Sequence, residues 1–493
     1  MSTGGGPLRV ESRIRAWLRL PVVVSIALGV RFRFADLVKK VYPGDDIDNY
    51  NGGRTLSPAR SILLLTPIIL LGFLERMYVA GAGRTTDDMA EFVGWFESAL
   101  AYPPSQLYAH SSLNYPPGYA FILVLTAQVY HSLVHGGHDS ALIRMLIELP
   151  AIAFDLVGAV VAYVLVGRFA TPPVALAAAA YFAFDPAFIY ISAYWGQLDS
   201  IPAVSALAAV LLLLSGIAAL AWPLLAFAAL VKPPVSLLAL LFLLYPFAAQ
   251  SALERKRRFL GAAIGIALAL TLTEALAFMF FPHPTAVAPT RQLIKELHRD
   301  SSLYTYTSLN AFNFWSIFQD FFASDRVRWG PLIMKHWAQA LFVVVAALIC
   351  GTYAWRRSAT SFLEAAVLLF LAFFLFMPEM HERYQSYATM FAGALVFRRP
   401  YAIAAAVLSI TMLLSMEYAL MYLALTKVHI TTVDIDMFAP CLVRLCALAN
   451  LGIFVWLAGD YLSPLARSLA RSLGDAAPTR RAEFPRGEAG DSG

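Results

Sequence analysis

Charge is scarce in this chain. Asp, Glu, Lys and Arg make up 14% of the 493 residues and hydrophobic residues 59%; soluble domains hold about 25% and about 45–50%. No single water-soluble core hides that much apolar surface, so a soluble globular protein is excluded. Cysteine is scarce as well. Cys350, Cys441 and Cys446 all fall in apolar segments, which excludes a disulfide framework and leaves no metal-ligand spacing. Familiar catalytic signatures are missing. There is no Walker loop and no G-x-S-x-G, and Gln385 stands where H-E-x-x-H needs its second His, which excludes zinc-protease chemistry. There is no clear internal repeat of the kind transporters often carry. The net charge of +5 is not a nucleic-acid signal, because the bases gather near the two ends. No cleavable leader is expected: 17–30 is apolar with a basic flank but lacks a small-residue cleavage site. It is also short for a span and is read as interfacial.

What is present is a series of apolar runs. The fold class expected is all-α, a polytopic integral membrane protein, because helices satisfy their own backbone groups in lipid. Runs fall at 61–80, from Gly118 onward, and at 142–167, 174–191, 200–216, 218–231, 234–249, 260–281, 333–354, 361–377, 384–397, 401–424 and 438–458. That gives about twelve crossings of about 17–25 residues. Basic residues at 9–60 and 467–486 put both ends in the cytoplasm. Arg255-Lys256-Arg257-Arg258 should also be cytoplasmic, as should the loop at Arg144. Five runs cannot join two points on one side. The segment 174–191, broken by Asp185-Pro186, is therefore expected to be re-entrant. That places Asp199, Lys232, 282–330, His381 and Asp434 on the extracytoplasmic side.

Several polar groups stand beside these runs. Asp87-Asp88 opens a segment in which Met89, Phe92, Val93 and Phe96 recur at helical spacing, as in an amphipathic helix lying on a membrane. Carboxylates at a helix start can serve as caps; alternatively one is a general base at the lipid–water boundary. Tyr115 lies in Tyr115-Pro116-Pro117-Gly118-Tyr119, a stiff start to the second span. Trp195-Gly196-Gln197-Leu198-Asp199-Ser200 puts an aromatic, an amide and a carboxylate near membrane depth. There a carboxylate costs about 2.5–3.5 kcal/mol. Lys232 is either a snorkelling end residue or a phosphate contact. Asn310 and Asn313, three apart, share a helical face and could cap a helix or face a sugar. His381-Glu382-Arg383-Tyr384 packs three ionisable groups at a boundary; Arg suits bidentate phosphate binding, and His suits acid–base work.

These runs, in this order, resemble the GT-C superfamily of glycosyltransferases. The likeness is to mannosyltransferases related to the second mannosyltransferase of GPI-anchor assembly. It rests on Asp88-Met89 with Phe92 and Trp95, on Tyr115-Pro116-Pro117-Gly118-Tyr119, on the run at 195–200, on Lys232-Pro233, on Asn310–Trp315 and on Met380–Tyr384. The resemblance implies a polyprenyl-phosphate sugar donor used on the outer face, inversion, and no nucleotide-sugar site. It maps the family's catalytic Asp best onto Asp88, with Asp87 a departure from the Gly common there. It implies that His381 and Arg383 hold the donor phosphate. It covers 61–400 as the catalytic module, after a cytoplasmic segment 1–60 and before C-terminal helices at 401–460 and a disordered cytoplasmic tail at 461–493.

The expected function is transfer of a hexose, mannose on the resemblance, to a lipid-linked or cell-envelope glycan acceptor. Asp88 or Asp87 acts as base, and Tyr115, Trp195, Gln197, Asp199, Lys232, Asn310, Asn313, His381, Glu382, Arg383 and Tyr384 contact substrate. The partners are the donor, the acceptor and membrane lipids. No cofactor is expected, although Asp87, Asp88 and Asp199 could gather around a divalent ion. The location expected is a membrane crossed many times, the cytoplasmic membrane if the chain is bacterial, with the site on the extracytoplasmic face. The competing readings are a transporter or flippase for a lipid-linked saccharide and a non-catalytic membrane subunit.

Overall fold

A computed structural model describes residues 56–82, 86–135, 137–282, 285, 287–300, 304–427 and 439–476. The chain divides into two compact units, Met1–Ile62 and Leu63–Gly493, and the site lies wholly in the second. The expected interfacial segment, Asp434 and the tail beyond 476 lie outside the described residues.

The protein is built from helices. In chain order the main ones are α1 (Pro58–Ala82), α2 (Asp87–Ala101), α3 (Pro117–Leu133), α4 (Ser140–Val166), α5 (Pro172–Phe184), α6 (Ser200–Leu214), α7 (Ala218–Val231) and α8 (Leu238–Leu244). They continue with α9 (Ala252–Phe280), α10 (Ala288–Asp300), α11 (Met334–Arg356), α12 (Ala359–Phe376), α13 (Ser386–Gly393), α14 (Arg399–Lys427) and α15 (Ala439–Ala476). Sheet is confined to two-residue strands. β1 (Ser308–Leu309) pairs in parallel with β4 (Met380–His381), and β2 (Arg328–Trp329) pairs antiparallel with β3 (Leu332–Ile333).

Among the described residues eight helices are long and apolar enough to cross a membrane, and three apolar pieces are shorter. This is a multi-pass helical membrane protein, but the count of long helices falls below the twelve expected. The reasons are local. Residues 174–191 form α5, a short helix Pro186–Ile189 after the Asp185 break, and the start of a π-helical turn. They belong to one kinked run, Pro172–Trp195, of spanning length. Helices α6 and α7 hold 15 and 14 residues. At 1.5 Å per residue each reaches only about 22 Å, short of a hydrocarbon core of about 30 Å. The run at 234–249 breaks into two 3-10 turns around the seven-residue α8. The span expected at 384–397 is the eight-residue α13, whose residues are all buried. The tail expected from 461 begins as helix, because α15 continues to Ala476.

The core has two main parts. The larger centres on α12, which is apolar nearly all round and buried along most of its length, as a helix surrounded by protein must be. Its one charge, Glu364, is held by Arg356 at 3.0 Å and by Arg398. The smaller part gathers Met89, Phe92, Trp95 and Phe96 of α2 against Tyr119, Leu123 and Ala127 of α3 and Ile143 of α4. This packing carries the polar N-terminus of α2 to the site.

Candidate active site

The site is assembled from several separate chain segments. Thr86 caps α2, its hydroxyl accepting from the Met89 N–H at 3.1 Å. The capping role weighed for the acids is thus filled by Thr86. Asp88 instead accepts from Trp195 Nε1 at 3.1 Å and from Gln197 Nε2 at 2.5 Å. Asp87 begins α2, but its side chain lies outside the described residues.

Trp195 and Gln197 sit at the end of the kinked run. The chain passes through Pro186–Ile189 and a π-helical turn, Tyr190–Trp195, a device that often marks functional positions. Gly196 then turns left-handed at φ 77°. A Cβ there would come within 2.2 Å of Met89 Cε, the tip of a flexible side chain, so it is the left-handed φ that favours glycine at this turn.

Asp199 and Lys232 form the buried floor. Lys232 Nζ donates to Asp199 Oδ1 at 2.6 Å, and the two side chains are 1% and 0% exposed. Tyr387 OH donates to the same oxygen at 3.2 Å. The ammonium also lies 4.8 Å from the Tyr384 ring and 5.7 Å from the Tyr115 ring. Tyr115 is brought there by the start of α3. Gly118 lies against the end of α7, where a Cβ would meet the Leu230 carbonyl carbon at 2.6 Å. Lys232 therefore does not snorkel; it is the counter-ion of Asp199.

The last segment is the strand–turn Met380–Gln385. Pairing of β4 with β1 fixes His381 opposite Leu309, and Glu382–Gln385 forms a 3-10 turn into α13. Arg383 Nη1 donates to Glu382 Oε1 at 2.8 Å and stands 4.0 Å from Asp88 Oδ2, while Nε faces Asp199 Oδ2 at 3.6 Å. The guanidinium carbon lies 5.6 Å from the Trp195 ring centroid. Its Nε is buried and has no hydrogen bond beyond that approach to Asp199, so the hydrogen bond to Glu382 is the one the fork makes here. His381 packs between the rings of Tyr304 and Tyr384, with centroids at 5.2 and 5.5 Å. Burial, with Arg383 and Lys232 nearby, holds its pKa well below the ordinary value, so it is neutral at pH 7. Burial raises the Glu382 carboxyl, and the Arg383 charge opposes that rise.

Three carboxylates thus meet two cations. Asp199 with Lys232 and Glu382 with Arg383 form close pairs. Asp88 is left as the carboxylate open to solvent, with its side chain 33% exposed. Among the described residues no three His, Cys, Asp or Glu side chains are grouped as a metal would require.

Of the expected site residues, the structure brings together Asp88, Tyr115, Trp195, Gln197, Asp199, Lys232, His381, Glu382, Arg383 and Tyr384. Asn310 and Asn313 do not share a helical face. Asn310 sits at φ 60° in a bridge to His381, and Asn313 Oδ1 accepts from the Trp315 and Ser316 N–H groups of a 3-10 turn. Asn313 thus takes the capping role. Asn310 Oδ1 is buried without a partner beside the His381 strand. The sequence reading missed Tyr387, three residues past Tyr384, and Glu148, whose Cγ and Oε1 would each lie 3.4 Å from a Cβ at Gly196. A carboxylate inside the 142–167 run was itself a visible signal.

No family model matches the chain, and no curated protein matches it.

Proposed function

We propose that the protein is an integral membrane glycosyltransferase. It moves a hexose, mannose on the sequence resemblance, from a polyprenyl-phosphate donor to a lipid-linked or cell-envelope acceptor on the extracytoplasmic face. One observation carries the reading. Asp88 is the open carboxylate of a cluster whose other acids are paired, it is held by two donors, and it lies 4.0 Å from an arginine whose one hydrogen bond goes to Glu382.

The chemistry follows from that pairing of base and fork. The acceptor hydroxyl gives its proton to Asp88 as its oxygen bonds to the anomeric carbon. The bond from that carbon to the phosphate oxygen breaks, and the polyprenyl phosphate leaves with the electron pair. Arg383 neutralises the departing phosphate, a form of transition-state stabilisation that can outweigh any other single contribution. Trp195 and Gln197 aim the carboxylate, so the base need not be oriented at the moment of reaction. One base on the face opposite the leaving group is enough for inversion; a second carboxylate nucleophile is not required. Lys232 and Asp199 shape the floor, and the rings of Tyr115, Tyr384 and Tyr304 offer faces for the sugar. His381, being neutral, serves as a hydrogen-bonding wall.

The test is purified protein in detergent with a labelled polyprenyl-phosphate hexose. Product should form with wild type and be lost with Asp88→Asn. Loss with Asp87→Asn alone moves the base by one residue. Transfer that survives both substitutions defeats the assignment. Transbilayer movement of the donor with no bond made supports the carrier instead.

A further inference from the structure

We infer that Arg76 and Asp155 are positioning residues: they fix the π-turn that holds Trp195 and Gln197 against Asp88. The kinetic part of this inference rests on the transferase reading; the structural part does not.

The argument starts at Pro186. It has no N–H, so the Phe182 carbonyl, four residues earlier, loses its helical donor. The Ala183 carbonyl loses its donor too, because the Ala187 N–H turns to Asp185 Oδ1 at 3.0 Å. Two acceptors are left open inside an apolar run, where no water can satisfy them. Arg76 of α1 serves both. Nη2 donates to Phe182 O at 3.2 Å, and Nη1 donates to Ala183 O. Its Nε donates to Asp155 Oδ2 of α4 at 2.9 Å. The same carboxylate oxygen accepts from Ser192 Oγ at 2.6 Å, and Ser192 lies in the π-turn.

The link to the site is short. Trp195 is three residues beyond Ser192, and the Gln197 N–H donates back to Ile191 O in the turn at 2.8 Å. Arg76 and Asp155 are 0% and 1% exposed, so neither touches substrate. Fold stability alone does not account for them, because a buried ion pair is often no better than well-packed apolar residues. What this pair supplies is register. It joins α1, α4, both sides of the Pro186 break and the π-turn through one guanidinium and one carboxylate.

The test uses full-length protein labelled with 5-fluorotryptophan in detergent, with the Trp195 fluorine signal assigned by its disappearance in Trp195→Phe. Arg76→Lys and Asp155→Asn should move that signal. They should lower kcat for hexose transfer by about tenfold or more while the donor KM changes little. In a Trp195→Phe, Gln197→Leu background the same substitutions should lower kcat by less than about twofold, since coupled residues are not additive. Should a single substitution prevent folding, Arg76→Met with Asp155→Leu removes both charges at once and should still move the Trp195 signal. An unmoved Trp195 signal in folded variants, or kinetic losses that multiply fully across the two backgrounds, overturns the inference. A wild type that makes no product defeats the transferase reading, and the fluorine shift still decides the positioning claim.

Discussion

Two groups of buried charge lie in this bundle, built from the same residue types and arranged for opposite ends. Around Arg76 and Asp155 the guanidinium is used up on one carboxylate and three backbone carbonyls, and both side chains are closed to solvent. Around Arg383 the guanidinium makes one hydrogen bond, to Glu382, turns Nε toward Asp199 at 3.6 Å, and stands beside a carboxylate that is 33% exposed. A charge in a membrane protein must be satisfied or must be kept for something else. In the first group the guanidinium is satisfied and closed off, although Asp155 Oδ1 is buried without a hydrogen bond. In the second the acid stays open to solvent beside a guanidinium with one hydrogen bond, and that difference distinguishes a brace from a site.

The contrast can be broken at several points. The largest effect is expected at Asp88. Asp88→Asn keeps both hydrogen-bonded neighbours and removes the base, so transfer should fall by about 10²–10⁴-fold with little change in the melting temperature of the detergent-solubilised protein. Equal loss of fold and activity there would make Asp88 another brace.

The floor of the site should behave in the opposite way. Lys232→Met leaves the buried Asp199 with only the Tyr387 hydroxyl and the Arg383 Nε at 3.6 Å, and should cost at most about 3–5 kcal/mol of stability. Adding Asp199→Leu should return most of that loss, measured by thermal unfolding of the single and double variants. No recovery in the double variant would mean that the pair does more than neutralise itself.

A smaller effect is expected at Gly196. Its φ of 77° makes Gly196→Ala strained by about 1–3 kcal/mol. The variant should also weaken transfer, because the strained turn shifts the loop that carries Gln197 beside Asp88. Unchanged transfer at reduced stability would separate the loop from catalysis.

The smallest effect concerns pH. The folded pKa of His381 lies below 6.5, so the unfolded chain takes up its proton first as the solution is acidified. Its contribution to stability is present above 6.5 and is lost as pH falls from there toward the folded value. The slope is at most about 1.4 kcal/mol per pH unit. Melting curves between about pH 8 and pH 5 should flatten on the acid side in His381→Gln. An unchanged slope would place the acid-sensitive group elsewhere.

Parts of this were legible in the residues. The spacing of Met89, Phe92 and Phe96 foretold a half-buried helix that carries Asp88 at its start. The clustering of polar groups at 195–200 and 381–384 foretold groups that meet. Other parts depend on partners that spacing cannot show. The Asp185-Pro186 break reads as a reversal until Arg76, more than a hundred residues away, is seen to satisfy the carbonyls it frees. The run at 384–397 is as apolar as a span, but α13 is apolar because protein surrounds it. Hydropathy does not separate those two cases. Asn310 and Asn313 fit a helical face by count alone, and the positive φ of Asn310 removes the helix. Arg76, Glu148 and Asp155 were visible as charges inside apolar runs, and their cost in lipid was the signal that they had partners.

The most direct measurement compares wild type with Asp88→Asn and Asp155→Asn for hexose transfer from a labelled polyprenyl-phosphate donor, with folding followed in parallel. Loss to background in Asp88→Asn with the fold intact, and a partial loss in Asp155→Asn, is the result expected. Full transfer by folded Asp88→Asn would contradict the account at its centre.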